Sequence, residues 1–245
     1  LTGDFGVSIA TKLPVAMEIT LALSNTMMLA IFAVPIAFSI GYAMGAVAGC
    51  FPGGWIDRVV TGSAVFGVSL PNYWLGIVLV IIFSAQLGWL PPTGAGPDGS
   101  GNWRPDTEHL RYIILPAITM SVIPMGIIAR TVRALVADIL SQEFVQALRA
   151  KGLGEWGVFK HVVTNAAPTA LAVMGLQLGY LLGGSILIET VFAWPGTGFL
   201  LNAAIFQRDL PLLQGTILVL AMFFVMLNLL VDVLQTTLDP RIQRT

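Results

Sequence analysis

Charge is scarce in this sequence. Asp, Glu, Lys and Arg make up 10% of its 245 residues, where a soluble domain carries about 25%. Such a chain lacks the polar surface that water demands. It is 56% hydrophobic with a mean hydropathy of +0.84, so its solvent is a bilayer. Cysteine is nearly absent. Cys50 alone excludes an internal disulfide framework and an all-cysteine metal site, and it reads as a small apolar residue near a helix end. The two histidines, His109 and His161, fall on opposite predicted sides, which argues against a zinc site or a Ser–His pair. Only Lys12, Lys151 and Lys160 are lysines, and none sits in a Gly-x-x-x-x-Gly-Lys-Ser/Thr phosphate loop. The chain therefore has no nucleotide-hydrolysing centre that its sequence reveals, and no metal site is expected. A net charge of -1 gives no field to attract nucleic acid. No basic lead with a short apolar core marks a signal peptide; the start at Leu1 suggests that an N-terminal piece is missing.

What the chain does have is long uncharged runs. A membrane helix needs about 20 largely apolar residues. Five spans are expected, near Leu21–Val47, Val59–Leu87, Tyr112–Ala129 (running on past Arg130), Val162–Ile188 and Leu210–Val231. Residues 89–101, rich in Pro and Gly, read as a loop. Basic residues near span ends set orientation. Arg58, Arg130, Arg133, Arg149, Lys151, Lys160, Arg241 and Arg244 oppose Lys12, Arg104, Arg111 and Arg208, eight against four. The C-terminus and the loop 138–165 are thus expected in the cytoplasm, with residues 1–18 outside. Trp74, Trp89, Trp103 and Trp194 fit an outer interfacial belt.

Gly41, Gly45 and Gly49 share one helix face, as do Gly175, Gly179 and Gly183, with Gly184 and Ser185 extending the second strip. Small residues at this spacing let backbones approach closely; a face lining a solute path is the other reading. Pro35, Pro116 and Pro124 lie inside apolar runs and suit kinked helices.

The longest polar segment carries the most information. Leu140, Phe144, Val145, Ala147 and Leu148 recur at helical spacing, predicting an amphipathic helix over Leu140–Ala150. Gly152 stops it, Gly154 permits a turn, and a second short helix is expected over Glu155–Val163. Such a helix–Gly–helix unit fits a groove on another protein. Ala147, Ala150 and Gly152 allow close approach, while Glu143, Arg149 and Lys151 set register. An ordinary polar loop with positive-inside charge is the alternative.

The run from Glu143 to Leu153 (Glu-Phe-Val-Gln-Ala-Leu-Arg-Ala-Lys-Gly-Leu), with His161, Asn165-Ala166 and Pro168, resembles the cytoplasmic loop of ABC importer permeases of the oligopeptide, dipeptide and nickel group. Leu148 departs from that pattern, which has Ala there. Gly3-Asp4-Phe5-Gly6 with Ser8, Leu115-Pro116-Ala117, the turn from Glu189 to Gly196, Arg208-Asp209 with Pro211, Asn228, Asp232 and Asp239-Pro240-Arg241 extend the resemblance over nearly the whole chain.

The resemblance implies an all-α polytopic membrane bundle of the type I ABC importer kind in the bacterial inner membrane, with one further N-terminal helix in the intact subunit. Residues 19–235 would form the transmembrane domain, with 138–165 as coupling loop and 236–245 as cytoplasmic tail. Glu143, Phe144, Ala147, Arg149, Ala150, Lys151, Gly152 and Leu153 would dock on a separate ATP-binding subunit. ATP and Mg would be held there, leaving this chain without a cofactor. A homologous second permease and an external solute-binding protein complete the implied partners. The expected function is import of short peptides, or of nickel and other small solutes, by alternating access.

Ionisable residues near a bilayer are functional candidates. Glu189, with Phe192 and Trp194, is a candidate solute path or outer gate; a structural pair holding the outer turn is the equal alternative for Glu189. Asp232, four residues after Asn228, is expected to partner Arg130 or Arg133. A secondary transporter would need inverted repeats and aligned midplane carboxylates, and neither is visible. A channel or scaffold subunit without ATP coupling is the other rival.

Overall fold

A computed structural model describes residues 5–97, 103–104, 106–183 and 185–238. Among these the secondary structure is helical, apart from an isolated bridge between Val7 and Pro14. The helices are α1 (Val15–Cys50), α2 (Trp55–Ser69), α3 (Asn72–Leu79) with a π-helical continuation Val80–Gln86, α4 (Thr107–Leu140), α5 (Glu143–Ala150), α6 (Glu155–Gly183), α7 (Ser185–Val191), α8 (Thr197–Gln207) and α9 (Leu210–Leu238). Four described helices are long and apolar enough to cross a membrane, or five spans if α2 and α3 with its continuation count as one.

The expected span Val162–Ile188 is divided between α6 and α7, and three other boundaries differ from expectation, each for a local reason. The second span is two helices rather than one. Leu70 is extended (φ -81, ψ 133) and Pro71 follows it at φ -62, ψ 128. A residue before proline is driven out of the α region, so α2 ends there and Pro71 caps α3. The predicted helix over Leu140–Ala150 begins only at Glu143, because Leu140 still belongs to α4. The short helix over Glu155–Val163 and the span that follows are one helix, α6, which passes through Pro168. Pro168 leaves the Thr164 carbonyl without its helical donor. Beside it, the Tyr42 hydroxyl donates to the Val163 carbonyl at 2.8 Å, and Asn165 Nδ2 donates to the His161 carbonyl at 2.8 Å.

The chain divides into two compact units. One comprises Pro35–Leu70, Ser121–Leu178 and residues from Asn228 onward. Its core holds Ile128, Val132, Val136, Val145, Val158 and Val162. The glycine strip of α1 lies directly on α4. A Cβ added at Gly41 would stand 2.8 Å from the Met125 carbonyl oxygen, at Gly45 2.5 Å from that of Ala129, and at Gly49 2.7 Å from Val136 Cβ. Both helices advance together from contact to contact, so they run parallel here. On α2 the order reverses. A Cβ added at Gly126 would stand 2.9 Å from the Ala64 carbonyl oxygen and one at Gly67 3.0 Å from Val122, and Asp57 meets Arg133, an antiparallel seam. Gly175 and Gly179 are buried in α6; Gly184 lies outside the described residues.

The other unit comprises residues up to Val34, Pro71–Met120 and Gly179–Leu227. Val15, Ile19, Ala204 and Leu212 form one of its apolar clusters, with Phe5 packed against it. Asp209, fully buried, ties down the N-terminal segment. Its carboxylate accepts the Ser8 hydroxyl, the Ala10 N–H (3.0 Å) and the Leu212 N–H (3.2 Å). Burial pushes the Asp209 pKa up, but these donors more than offset it and hold the group below its ordinary value. A carboxylate with a lowered folded pKa stabilises fully above its unfolded value, about 3.9, and that stabilisation is lost as pH falls through the folded value. Protection of the residue 8–13 amides, taken relative to their intrinsic exchange rates, should therefore be lost well below pH 4. In Asp209→Asn that protection should already be low at neutral pH and change little with acid.

Candidate coupling loop and the Glu189 turn

The α5 helix has one anchored face. Val145 is fully buried and Leu148 packs beside it on the core of its unit. Phe144, Ala147, Arg149 and Ala150 are exposed, as are Glu143, Lys151, Gly152 and Leu153. All eight predicted loop residues thus lie together on one short, largely exposed stretch. Leu148, the departure from the family pattern, supplies anchoring rather than exposed surface.

The connection to α6 is rigid by construction. Gly152 stands at φ +83, where L side chains are strained. The Leu153 N–H reaches the Leu148 carbonyl at 3.1 Å and the Gly152 N–H reaches that of Arg149 at 2.9 Å. These two bonds form a Schellman motif that satisfies carbonyls otherwise orphaned at the helix end. Arg149 then grips Glu155 in a fork, Nε to Oε1 at 3.0 Å and Nη2 to Oε2 at 3.1 Å. Leu153 packs over Gly157, where an added Cβ would come within 2.9 Å. Behind the loop lies a cavity of about 420 Å³ between the end of α1 and the start of α6, lined by Val47, Cys50, Leu140, Trp156 and Phe159. Trp156, 77% exposed, stacks on Phe159 at 5.3 Å.

Glu189, Phe192 and Trp194 come together elsewhere, and all three are fully buried. Glu189 accepts the Thr26 hydroxyl at 2.8 Å and the Gly198 and Phe199 N–H groups at 2.7 and 3.2 Å. Those two N–H groups belong to the first turn of α8, whose positive dipole end favours a carboxylate. A Cβ at Gly196 would lie 2.5 Å from the Glu189 carboxyl carbon, so only glycine lets the turn wrap this side chain. Trp194 donates its indole N–H to the Asn25 carbonyl at 3.0 Å. It is core, not part of a lipid-facing aromatic belt. Phe192 packs against Gly76 of α3, and its carbonyl accepts the Gly94 N–H at 2.7 Å. The arrangement holds a turn together and presents none of the three side chains to a surface.

Sequence reasoning missed the partners. Asn25 and Thr26, which hold this turn from α1, were legible only as a polar Ser24-Asn25-Thr26 triplet inside an apolar span. Arg133 pairs with Asp57, Nε to Oδ1 at 2.8 Å; the side chain of Asp232, the expected partner of Arg130 or Arg133, lies outside the described residues. The segments Gly3-Asp4 and Asp239-Pro240-Arg241, and Arg244, also lie outside them. No group of three or more His, Cys, Asp or Glu residues gathers as a metal site among the described residues.

Comparison with known proteins agrees with this architecture. Residues 41–244 match the family described as binding-protein-dependent transport system inner membrane component. The glutathione transport system permease protein GsiC of Escherichia coli strain K12 is 40% identical over 242 residues, 98% of this chain and 75% of the relative. The dipeptide transport system permease protein DppB of Alkalihalophilus pseudofirmus is 39% identical over 259 residues, 99% of this chain and 78% of the relative. Among solved structures, the MetNI methionine ABC transporter in inward-facing conformations has 16% identity and a TM-score of 0.64, covering 92% of this chain and 96% of that one. An amino acid ABC transporter has 14% identity and a TM-score of 0.65, covering 92% and 94%. At such identities the structures speak for the fold alone, which is that of the type I importer bundle. The chain belongs to the family of binding-protein-dependent transport system inner membrane components, and is a multi-pass permease subunit of an ABC importer.

Proposed function

We propose that this permease passes short peptides across the inner membrane by alternating access, driven by ATP hydrolysis on separate subunits that grip the exposed face of α5. One observation carries the reading: α5 is anchored by Val145 and locked to α6 through Gly152 and the Arg149–Glu155 fork, while Phe144, Ala147, Arg149 and Ala150 stay uncovered. A helix held this firmly with its small-residue face open suits a groove on a partner. ATP and Mg bind on that partner. The loop and the C-terminus are cytoplasmic, an external solute-binding protein delivers the solute, and a homologous second permease completes the path. The names of the two relatives, a glutathione and a dipeptide system, favour short peptides as the solute class.

The test is Ala147→Trp in the assembled complex. Position 147 is exposed, so the fold should survive. Bulk there should block the groove, lowering solute uptake at least tenfold, a loss of about 1.4 kcal/mol or more of coupling. Stimulation of ATPase activity by loaded binding protein should disappear. Uptake and stimulation at the unaltered level would exclude α5 as the coupling element. Failure of the unaltered complex to co-purify with an ATPase would exclude the mechanism as a whole.

A further inference from the structure

Where α2 and α4 part, a cavity of about 610 Å³ opens with a cationic wall. Arg58, Thr61 and Val65 line it from one face of α2, and Arg130 and Arg133 from α4. The one carboxylate in that lining is already engaged. Asp57 takes the Arg133 guanidinium in a two-point ion pair and also accepts the Gly53 N–H at 2.8 Å and the Thr61 hydroxyl at 3.1 Å. Arg58 and Arg130 are exposed and form no ion pair among the described residues. Among the described residues, two positive charges are therefore left over on the cavity wall.

The flanks are apolar. Val59, Val65 and Phe66 on the same helix are 60%, 44% and 64% exposed. Guanidinium groups with no ion-pair partner among the described residues, beside an apolar strip on membrane helices, attract anionic headgroups. A phosphodiester with acyl chains satisfies both halves of the surface: its phosphate sits between two planar donors, and its tails cover the apolar stripe. A free phosphate ion would leave that stripe unused.

We propose that this cavity between α2 and α4 binds the headgroup of an anionic phospholipid through Arg58 and Arg130, with Arg133 held in place by Asp57. The site is independent of the coupling role proposed for α5.

The assembled complex, carried in nanodiscs of phosphatidylcholine with phosphatidylglycerol, tests this by native mass spectrometry of the lipids that stay bound. The unaltered complex should retain phosphatidylglycerol in preference to phosphatidylcholine. In Arg58→Gln/Arg130→Gln the preference should fall about thirtyfold, given the attraction of each basic residue to an anionic surface. The charge-matched Arg111→Gln/Arg208→Gln should keep it. Equal retention of both lipids by the unaltered complex overturns the proposal without any variant. So does equal loss in the two double variants, or displacement of the bound lipid by inorganic phosphate. Disulfide cross-linking of Val65→Cys to another subunit of the complex would assign the face to a protein partner and overturn it as well.

Discussion

Gly45→Leu should abolish accumulation of the folded permease. The Cβ position is already 2.5 Å from the Ala129 carbonyl oxygen and 2.8 Å from Val132 Cβ, closer than any non-bonded carbon packs. The obstacle is mainly backbone, so no rotamer change relieves it. Leucine must push α1 away from α4, and Gly41 and Gly49 lose their contacts on either side. Overpacking a core costs about 1–3 kcal/mol when side chains can adjust. Forcing a helix–helix seam apart costs more, roughly 5 kcal/mol or above, comparable to the whole stability of many domains. The measurement is size-exclusion chromatography of detergent extracts with a thermal ramp. Gly62→Leu is the internal control, because an added Cβ there meets nothing within 4 Å. A Gly45→Leu variant that elutes and melts like its parent would refute the seam.

Glu189→Ala should destabilise the protein by roughly 3–5 kcal/mol, since it strips the partner from buried donors worth about 1–3 kcal/mol each. The Gly198 and Phe199 N–H groups lose their acceptor, and the Thr26 hydroxyl keeps only its Thr197 contacts, with the Oγ1 at 3.0 Å and the N–H at 2.8 Å. A void also opens beside Gly196. Glu189→Gln keeps the volume, but its amide turns a donor toward donors already there, so an intermediate loss is expected. The same pair of variants decides between the two roles that sequence leaves open for this residue. A residue that holds the turn lowers the melting temperature in proportion to the bonds lost. A residue that touches solute raises the KM for uptake with melting unchanged.

The parts of this protein legible in sequence are those fixed by solvent and by spacing. Sparse charge predicted a bilayer and five apolar spans; four of them are matched by single described helices, and the fifth only if α2 and α3 with its continuation count as one. The four-residue rhythm of Gly41, Gly45 and Gly49 marked a seam, because a missing Cβ matters only where another backbone arrives. The loop motif marked Glu143 through Leu153, a short stretch exposed apart from the anchoring Val145 and Leu148. Illegible were features set by a single residue or by distant pairing. Pro71 broke the second span where its apolar composition read as continuous. Pro168 did the opposite, sitting inside a helix that the sequence suggested would be divided. Asp57 was invisible as the partner of Arg133 because 76 residues separate them, and the acceptor role of Glu189 depended on Thr26, 163 positions away. Trp194 looked interfacial by position along its span, but its indole N–H had a buried carbonyl waiting.

The union of α5 with an unbroken α6 has a mechanical consequence. A flexible tether would dissipate a tug in its own bending. Here the Gly152 clasp joins α5 directly to α6, and Pro168, inside α6, lies roughly 20 Å further at 1.5 Å per residue. If a partner grips α5 as proposed, motion imposed there would arrive as displacement of a stiff shaft, with its stroke set at the point of attachment.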